Sequence, residues 1–235
     1  MAIPAEHLEY MKGLKGWLDS EEDTPLEEMG SFFKARLGDY EEHMLKYWAF
    51  GYEYLAKLIP ENAKHVLDLG CGTGLELDEL YKLHPNVKVT GIDLAEAMMD
   101  ELRKKHPDKN LNLILGSYFD VPFPENVDAV ISFESLHHFT AAEKLPLFKK
   151  VYDALAPGGV FMNGDYFACC DEEETLLRET CDRRRKKQGI PDGQFVHFDT
   201  PLTEEHEMQI LRDAGFAEVY VDPTPEDSHI VIAKK

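Results

Sequence analysis

One aspartate and three glycines, Asp68, Gly70, Gly72 and Gly74, stand at a spacing that suits close contact with a small ligand. Glycine lets the backbone turn tightly and approach a ligand, and the first turn of a helix offers N–H groups without a partner inside the helix. A short apolar run at 65–69 precedes them, and leucines at helical spacing follow. This order of strand, glycine turn and helix is typical of the mouth of a nucleotide-binding α/β unit.

The glycine spacing separates two ligand classes. A dinucleotide fold has the pattern G-x-G-x-x-G, which would need glycine at position 75, but that residue is Leu75. The stretch 68–74, D-L-G-C-G-T-G, instead resembles the first motif of class I S-adenosylmethionine (SAM) dependent methyltransferases. The resemblance implies that SAM is the cofactor, that Asp68 serves its cationic methionine end, and that the turn binds it through Gly70, Cys71, Gly72 and Gly74. The alternative is a tight strand–helix turn without a ligand.

Further cofactor contacts are expected where the next strands end. Asp93 ends the predicted second strand, and a carboxylate there can accept two hydrogen bonds from a ribose diol. Many relatives carry aspartate where this chain has Ser117, so either this hydroxyl or Asp120 is expected to receive the adenine amino group. The resemblance covers nearly the whole chain from Lys64, and it implies that four more residues contact the cofactor: Leu94, Ser117, Tyr118 and Phe133.

The stretch 133–139 carries the candidate catalytic groups Glu134, His137 and His138. It resembles the S-x-L-H-H-F segment of many small-molecule methyltransferases, and loops at the carboxyl ends of strands face the ligand crevice. Histidine titrates near neutral pH and could take a proton from the acceptor, with Glu134 as an alternative base. The alternative is that each histidine caps a helix or packs in the core.

Two other chemistries receive little support. A metal site at the paired histidines would need a third ligand, which the sequence does not supply at a recognisable spacing, so no metal is predicted. Cys169, Cys170 and Cys181 suggest arsenic methylation through thiolates, but adjacent cysteines are more often ordinary buried thiols.

The N-terminal part is expected to cover the substrate. Residues 1–23 are charged and predict a mobile or loosely docked lead-in, and 24–27 (T-P-L-E) predicts a helix start. The aromatic segment 32–58 predicts either packing on the main domain or a helical lid. The lid interpretation places three side chains at the substrate: Tyr40, His43 and Tyr166. The predicted boundaries are a cap over 1–60 and a SAM-binding domain over 61–235, with an insertion at 168–203.

Strands alternate with helices, which predicts an α/β fold with a mostly parallel sheet and helices on both faces. Pro146 predicts an irregular first turn in the helix after the fourth strand, and the basic run 183–187 predicts a solvated helix end. Two strands at 218–221 and 229–233, joined by a Pro-rich turn, close the chain. The resemblance implies a Rossmann-like seven-stranded sheet in the order 3-2-1-4-5-7-6.

Composition narrows the partners. The chain has 235 residues and a net charge of −20, which disfavours nucleic acid because such binding depends on Lys and Arg. No apolar run is long enough for a membrane span, the start predicts no secretory signal, and four cysteines without paired spacing suit the cytoplasm. The expected partners are a small-molecule methyl acceptor and, in a homodimer, a second copy of the chain.

The sequence therefore predicts methyl transfer from SAM to a small molecule. The alternatives are a SAM-binding regulatory or scaffold protein of the same fold without turnover, and a dehydrogenase, which Leu75 and the two closing strands disfavour. The acceptor atom is not predicted.

Overall fold

The computed structural model describes residues 5–222 and 229–235. Seven strands form one sheet in the order β3-β2-β1-β4-β5-β7-β6, which confirms the predicted fold. The strands are β1 (His65–Leu69), β2 (Lys88–Asp93), β3 (Leu111–Leu115), β4 (Val127–Phe133), β5 (Leu155–Gly164), β6 (Glu218–Asp222) and β7 (Ile230–Lys234). The helices are α1 (Ala5–Ser20), α2 (Met29–Leu58), α3 (Leu75–Leu83), α4 (Glu96–Lys105), α5 (Ala141–Ala154), α6 (Asp171–Gln188) and α7 (Glu204–Ala214).

The first five strands run parallel, and β7 lies antiparallel between β5 and β6. The central strands are short and apolar because helices cover both faces of the sheet. One core joins α2, α3 and α4 to the sheet, and the other joins α5 and α7 to it. The strand order reverses between β1 and β4, so a ligand crevice is expected at their carboxyl ends. Within the described residues, no helix is long and apolar enough to span a membrane.

The N-terminal residues differ from the sequence prediction. Within 1–23, α1 is a regular helix, and Met11 and Leu18 are buried. Leu18 packs in a small cluster with Leu177, Cys181 and Phe198. The prediction of a loose lead-in is wrong because α6, far along the chain, covers the apolar residues of α1.

Helix α2 begins at Met29 and not at the predicted 24–27 segment. Glu28 caps it, since its carboxylate accepts hydrogen bonds from the N–H groups of Gly30 at 2.9 Å and Ser31 at 2.7 Å. This cap satisfies two of the free N–H groups at the start of the helix.

Two details after β4 also differ. Helix α5 has the predicted cap at Thr140 and Glu143, but it is regular from Ala141 through Pro146. A proline in the second turn removes one intrahelical hydrogen bond without ending this helix. The Pro-rich turn predicted between the closing strands lies outside the described residues.

The basic end of α6 is not simply solvated. Arg183 and Lys187 pair with Glu22 at 2.8 Å and Asp23 at 2.7 Å, in the connection between α1 and α2. Arg184 is buried, and it donates to the carbonyl oxygen of Thr24 at 2.6 Å. The run therefore binds the N-terminal segment to the main domain.

Candidate active site

The glycine turn after β1 is fixed by its neighbours. Gly70 and Gly74 have φ angles of +81° and +77°, in the left-handed region that favours glycine. A Cβ atom at Gly70 would lie 2.2 Å from Ser135 Oγ, and one at Gly74 would lie 2.4 Å from Leu102 Cδ1. These contacts bring the turn against the end of β4 and against α4, so that the backbone itself forms one wall of the crevice.

Asp93 holds the same turn from the end of β2. Its carboxylate accepts hydrogen bonds from the N–H groups of Gly72 at 2.8 Å and Ala95 at 2.7 Å. Burial raises the pKa of this carboxyl, although these backbone donors act in the opposite direction. The side chain therefore organises the turn as well as lining the cavity beside it.

A cavity of about 60 Å³ lies between the glycine turn, the ends of β2 and β4, and the first half of α2. Met29 and Phe33 of α2 are among the residues that line it. Six of the ten predicted cofactor residues line it: Gly70, Gly72, Asp93, Leu94, Tyr118 and Phe133.

The other four predicted cofactor residues, Asp68, Cys71, Gly74 and Ser117, lie outside this lining. Cys71 is buried against Gly91, and Gly74 packs on α4. The Ser117 hydroxyl accepts a hydrogen bond from the Phe119 N–H at 3.2 Å, so it stabilises a turn next to the cavity.

Asp68 and Glu76 form a buried acidic pair behind the glycine turn. Neither carboxylate oxygen of Asp68, nor Oε1 of Glu76, has a hydrogen-bond partner in the described part of the chain. Burial raises the pKa of Asp68 well above its ordinary value, and the neighbouring Glu76 raises it further. Burial also raises the pKa of Glu76 to about 7. A cationic ligand group beside this pair would stabilise the ionised form of the two carboxyl groups, which otherwise form no salt bridge among the described residues.

A second cavity of about 550 Å³ lies beneath α2, on the other side of a shared wall. Four residues line both cavities: Phe33, Tyr40, Glu134 and His138. His43 lines the second cavity, where its ring lies 5.2 Å from that of Tyr47. Ligands bound in the two cavities would therefore both contact these four side chains.

Tyr40 lies where the two cavities meet. Its hydroxyl oxygen would be 3.7 Å from a Cβ atom at Gly72, so the ring reaches the glycine turn itself. Burial raises the pKa of its phenol, and Glu76, Asp93 and Glu134 act in the same direction. The hydroxyl is therefore a proton donor at neutral pH.

Glu134 has an unusual backbone. Its φ angle is +50°, which a residue with a side chain rarely adopts and which typically costs about 1–3 kcal/mol. Its N–H donates to the Gly164 carbonyl at 2.8 Å, which ties this conformation to the end of β5. Burial raises the pKa of its carboxyl to about 8, so the side chain is largely protonated at neutral pH.

His137 is buried and oriented by Asp165. The imidazole Nδ1 and the Asp165 Oδ1 atom lie 2.6 Å apart, which leaves Nε2 directed away from Asp165. Burial alone would lower the pKa of His137, but the Asp165 and Asp199 carboxylates raise it well above its ordinary value. Burial and the charge of His137 lower the pKa of His138.

The sequence did not single out Asp165, His197 or Asp199. Asp165 follows β5, and the other two follow α6, so only the folded chain brings them to the paired histidines. Asp199 Oδ1 lies 3.5 Å from His137 Nε2 and 3.3 Å from His138 Nδ1. The His197 ring stacks on Phe32, and burial lowers its pKa to about 4. Only Asp165 could have been found from the sequence, because an acidic residue that follows a predicted strand is expected at the carboxyl edge of the sheet.

Behind Asp165, a buried polar chain crosses the domain. Asn163 Nδ2 donates to Asp165 Oδ2 at 3.4 Å and to Glu207 Oε1 at 3.0 Å. Lys144 Nζ donates to Glu207 Oε2 at 2.8 Å. All four side chains are buried, so this chain links α5 and α7 to the His137 imidazole.

Tyr166 does not line either of these cavities. It lines a neighbouring cavity of about 380 Å³ with Trp17 and Arg184, and its hydroxyl donates to Glu173. Tyr10 of α1 donates to the same carboxylate. Glu173 therefore joins both α1 and the segment after β5 to α6, and the Tyr166 ring lies 6.0 Å from that of His137.

The chain is similar in sequence to known methyltransferases and to proteins named carboxy-S-adenosyl-L-methionine synthase. A family model described as a methyltransferase domain matches residues 66–159. The chain is 29% identical over 175 residues to carboxy-S-adenosyl-L-methionine synthase of Campylobacter fetus subsp. fetus, covering 70% of this chain and 74% of that protein. It is 33% identical over 116 residues to demethylmenaquinone methyltransferase of Symbiobacterium thermophilum, covering 47% and 45%.

Solved structures share the fold. The S-adenosylmethionine-dependent methyltransferase SibL, in its apo form, superposes with a TM-score of 0.67 at 20% identity, covering 97% of this chain and 69% of that one.

Proposed function

Because this chain is a class I SAM-dependent methyltransferase with SAM as its cofactor, we propose that it transfers the methyl group to a small molecule held beneath α2. The observation that carries this proposal is the shared wall. Phe33, Tyr40, Glu134 and His138 line both the cavity at the glycine turn and the larger cavity beneath α2.

The residues at the glycine turn fit the cofactor. Asp93 is proposed to receive the ribose hydroxyls, which is supported by the capacity of each of its oxygens to accept a further hydrogen bond besides the one from the backbone. The unpartnered carboxyls of Asp68 and Glu76 suit the ammonium group of the methionine end. When bound, the cofactor supplies a methyl group on a positively charged sulfur, which is a good leaving group.

The remaining task of this chain is to align the acceptor, exclude water and take up a proton. Of the predicted catalytic groups Glu134, His137 and His138, we propose His138 as the one that receives the proton of a hydroxyl, thiol or ammonium acceptor, because its pKa is lowered while those of the other two are raised. Asp165 holds one nitrogen of His137, so the other can face the acceptor. Tyr40 and His43 are proposed to cover the acceptor from α2.

The larger cavity supports a small molecule as acceptor. Its volume of about 550 Å³ lies within the usual range of small-molecule sites. The carboxyl groups of Asp39 and Asp199 line it, whereas Arg36 is paired with Glu27 at 2.8 Å. A neutral or cationic acceptor is therefore favoured over an anionic one.

The first test is cofactor binding. Calorimetry should show binding of SAM, or of its demethylated product, with a dissociation constant in the roughly micromolar range, and no binding of NAD. Tighter binding of NAD than of SAM would overturn the cofactor assignment.

The second test is turnover with labelled SAM and a metabolite extract as the source of acceptors. Label should appear in a small molecule together with one demethylated cofactor for each methyl group transferred. Binding of SAM without any transfer would support the alternative of a regulatory or scaffold protein of the same fold.

Relatives named carboxy-S-adenosyl-L-methionine synthase match over about three quarters of their own length, so a second candidate is formation of a carboxylated SAM derivative from SAM and a small-molecule carboxyl donor, which would lose its carboxyl group. Mass spectrometry of the cofactor pool separates the two functions. Methyl transfer yields the demethylated cofactor, whereas the second candidate yields a cofactor that is heavier than SAM.

We also propose a cytoplasmic location and a homodimer. All four cysteines are unpaired, which agrees with a reducing compartment. Size-exclusion chromatography with light scattering tests the homodimer, and a monomer at micromolar concentration would contradict it.

A further inference from the structure

We propose that His137, His138 and Asp199 form a binding site for a divalent transition-metal cation at the edge of the larger cavity. One ligand atom from each of these residues lies within 4.8 Å of the other two. Asp199 is half-exposed, with 42% of its side chain accessible, whereas both imidazoles are buried. A cation could therefore enter from the cavity on the Asp199 side.

The separations of the three side chains match ligands that share a cation. Asp199 Oδ1 lies 3.5 Å from His137 Nε2 and 3.3 Å from His138 Nδ1. Charge-assisted N–H···O bonds are shorter, at about 2.7–2.9 Å. Tetrahedral ligands at about 2.0–2.1 Å from a zinc ion lie about 3.3–3.4 Å apart. The observed distances therefore suit bonds to a common centre better than direct hydrogen bonds.

A second carboxylate prepares His137 for this role. Asp165 Oδ1 lies 2.6 Å from His137 Nδ1, so Nδ1 carries a proton and Nε2 is the nitrogen left for a cation, which would displace any proton there. Metal-binding histidines usually donate their other N–H to a carboxylate or carbonyl in this way. Asp165 is buried and further held by Asn163 at 3.4 Å, so the ring orientation is fixed before any cation arrives.

Competing contacts are weaker or use another atom. His138 Nδ1 also lies 3.3 Å from the Phe198 carbonyl oxygen, so cation binding would replace one long hydrogen bond. Glu134, His137 and Asp165 form another group of suitable residues. That group would use His137 Nδ1, which Asp165 already occupies, so it is the poorer site.

The donor set and the surroundings define the cation. Two imidazoles and one carboxylate favour zinc, iron, cobalt or nickel over magnesium and calcium, which prefer oxygen ligands. All three side chains line the larger cavity, so the remaining coordination positions face the proposed acceptor. Resting on the proposed function, the acceptor binds this cation through an oxygen, nitrogen or sulfur atom, and the two imidazoles then act as ligands of the cation and not as proton acceptors.

Metal binding can be tested without knowing the acceptor. Protein without a histidine tag is stripped with a chelator and titrated with Zn²⁺, with Co²⁺ as a spectroscopic probe and with Mg²⁺ for comparison. We expect one equivalent of Zn²⁺ or Co²⁺ to bind, a Co²⁺ absorption spectrum typical of nitrogen and oxygen ligands, and no competition from Mg²⁺. Absence of stoichiometric Zn²⁺ and Co²⁺ binding overturns the proposal.

Variants locate the cation. Asp199→Ala and His138→Ala should each weaken Zn²⁺ binding at least about tenfold, and Asp165→Asn, which changes a supporting residue, by about 10–100-fold. His43→Ala is the matched control, because this histidine lines the same cavity but lies outside the triad. Equal weakening in the control, or full affinity in Asp199→Ala, overturns the assignment.

Folding and function are separated by two further measurements. SAM binding and thermal unfolding show whether each variant is folded. The second measurement uses the wild-type protein alone: the histidine NMR signals of His137 and His138 should shift when Zn²⁺ is added. Shifts confined to other histidines overturn the site. If methyl transfer proceeds equally with and without chelator, the inference about the acceptor fails while the proposed function stands.

Discussion

At the scale of single residues, the buried carboxyl of Glu76 should make the stability of the protein depend on pH. Folding raises its pKa from 4.5 to about 7, because burial penalises the charged form. The folded protein therefore binds this proton more tightly than the unfolded chain, and stability is lost as the pH rises between these two values. Glu76→Gln should raise the free energy of unfolding by ~1–3 kcal/mol at about pH 8 and hardly change it at about pH 4.5.

Thermal or denaturant unfolding across this pH range measures the effect. Glu79→Gln is the control, because Glu79 lies on the same helix but is partly exposed and paired with Lys82 at 2.6 Å. A Glu76→Gln variant that is less stable than wild type at both pH values would show that the carboxyl is paired and not penalised.

Asp93 makes a second prediction at this scale. Asp93→Ala should weaken SAM binding by about 2–4 kcal/mol, since ribose hydroxyls would lose a charged acceptor. The variant should also unfold more easily without ligand, because the Gly72 and Ala95 N–H groups lose their partner. Calorimetry and unfolding measure the two losses separately. Unchanged SAM affinity would leave Asp93 with a role in the turn alone.

Site residues that belong to a motif at the end of a strand were predictable from the sequence. Site residues that only the folded structure brings to the site were not. Gly72 and Asp93 lie at strand ends that are readable from sequence, and they meet at the crevice. Asp199 lies in an irregular segment, and no periodicity relates it to His138. The histidine pair was therefore visible, while the carboxylates that give it chemical character were not.

At the scale of elements, α2 contacts both ligand cavities. The sequence suggested a lid over the substrate, and Tyr40 also reaches the glycine turn. Tyr40→Ala should therefore lower both SAM affinity and turnover, whereas His43→Ala should lower turnover with less than about a tenfold change in SAM affinity. Calorimetry and the labelled-SAM assay separate these effects.

The two variants discriminate between lid and packing. Full turnover in both would mean that α2 is ordinary packing. Loss of SAM affinity in His43→Ala as large as in Tyr40→Ala would mean that this half of α2 acts as one structural unit and does not contact the two ligands separately.

Helix α1 shows why the N-terminal part was harder to predict than the sheet. Its charged sequence suggested a loose segment because Leu18 finds its partners only on α6. The acids of the following connection pair with the basic end of α6 for the same reason. Local patterns do not record such contacts, since each half looks solvated by itself.

At the scale of the whole molecule, the sheet was predictable because its rules are general. Short apolar strands alternating with helices form parallel sheets with right-handed crossovers, and β1 carries the diagnostic glycine turn. The antiparallel pair at the end came from the family resemblance. The topology did not predict the buried hydrogen-bonded network of Lys144, Glu207, Asn163 and Asp165, which links α5 and α7 to the end of β5.

The buried hydrogen-bonded network contains the ion pair Lys144–Glu207, in which the lysine is 1% and the glutamate 0% exposed. Lys144→Met removes the positive charge and leaves Glu207 buried without a counter-charge, which should cost about 3–5 kcal/mol of stability. Lys15→Met is the control, because its pair with Glu172 is about half-exposed and should cost under about 1 kcal/mol.

The pH dependence and the double variant show whether the loss comes from the unpaired charge. Burial raises the pKa of Glu207, and Lys144 opposes this rise. Without Lys144 the carboxyl should be protonated on folding, so the stability lost in Lys144→Met should shrink as the pH falls towards the ordinary range of a glutamate. Lys144→Met combined with Glu207→Leu should recover much of the loss at neutral pH, although Asn163 loses one acceptor. A loss that is independent of pH and persists in the double variant would show instead that Lys144 stabilises the domain through packing of its alkyl chain.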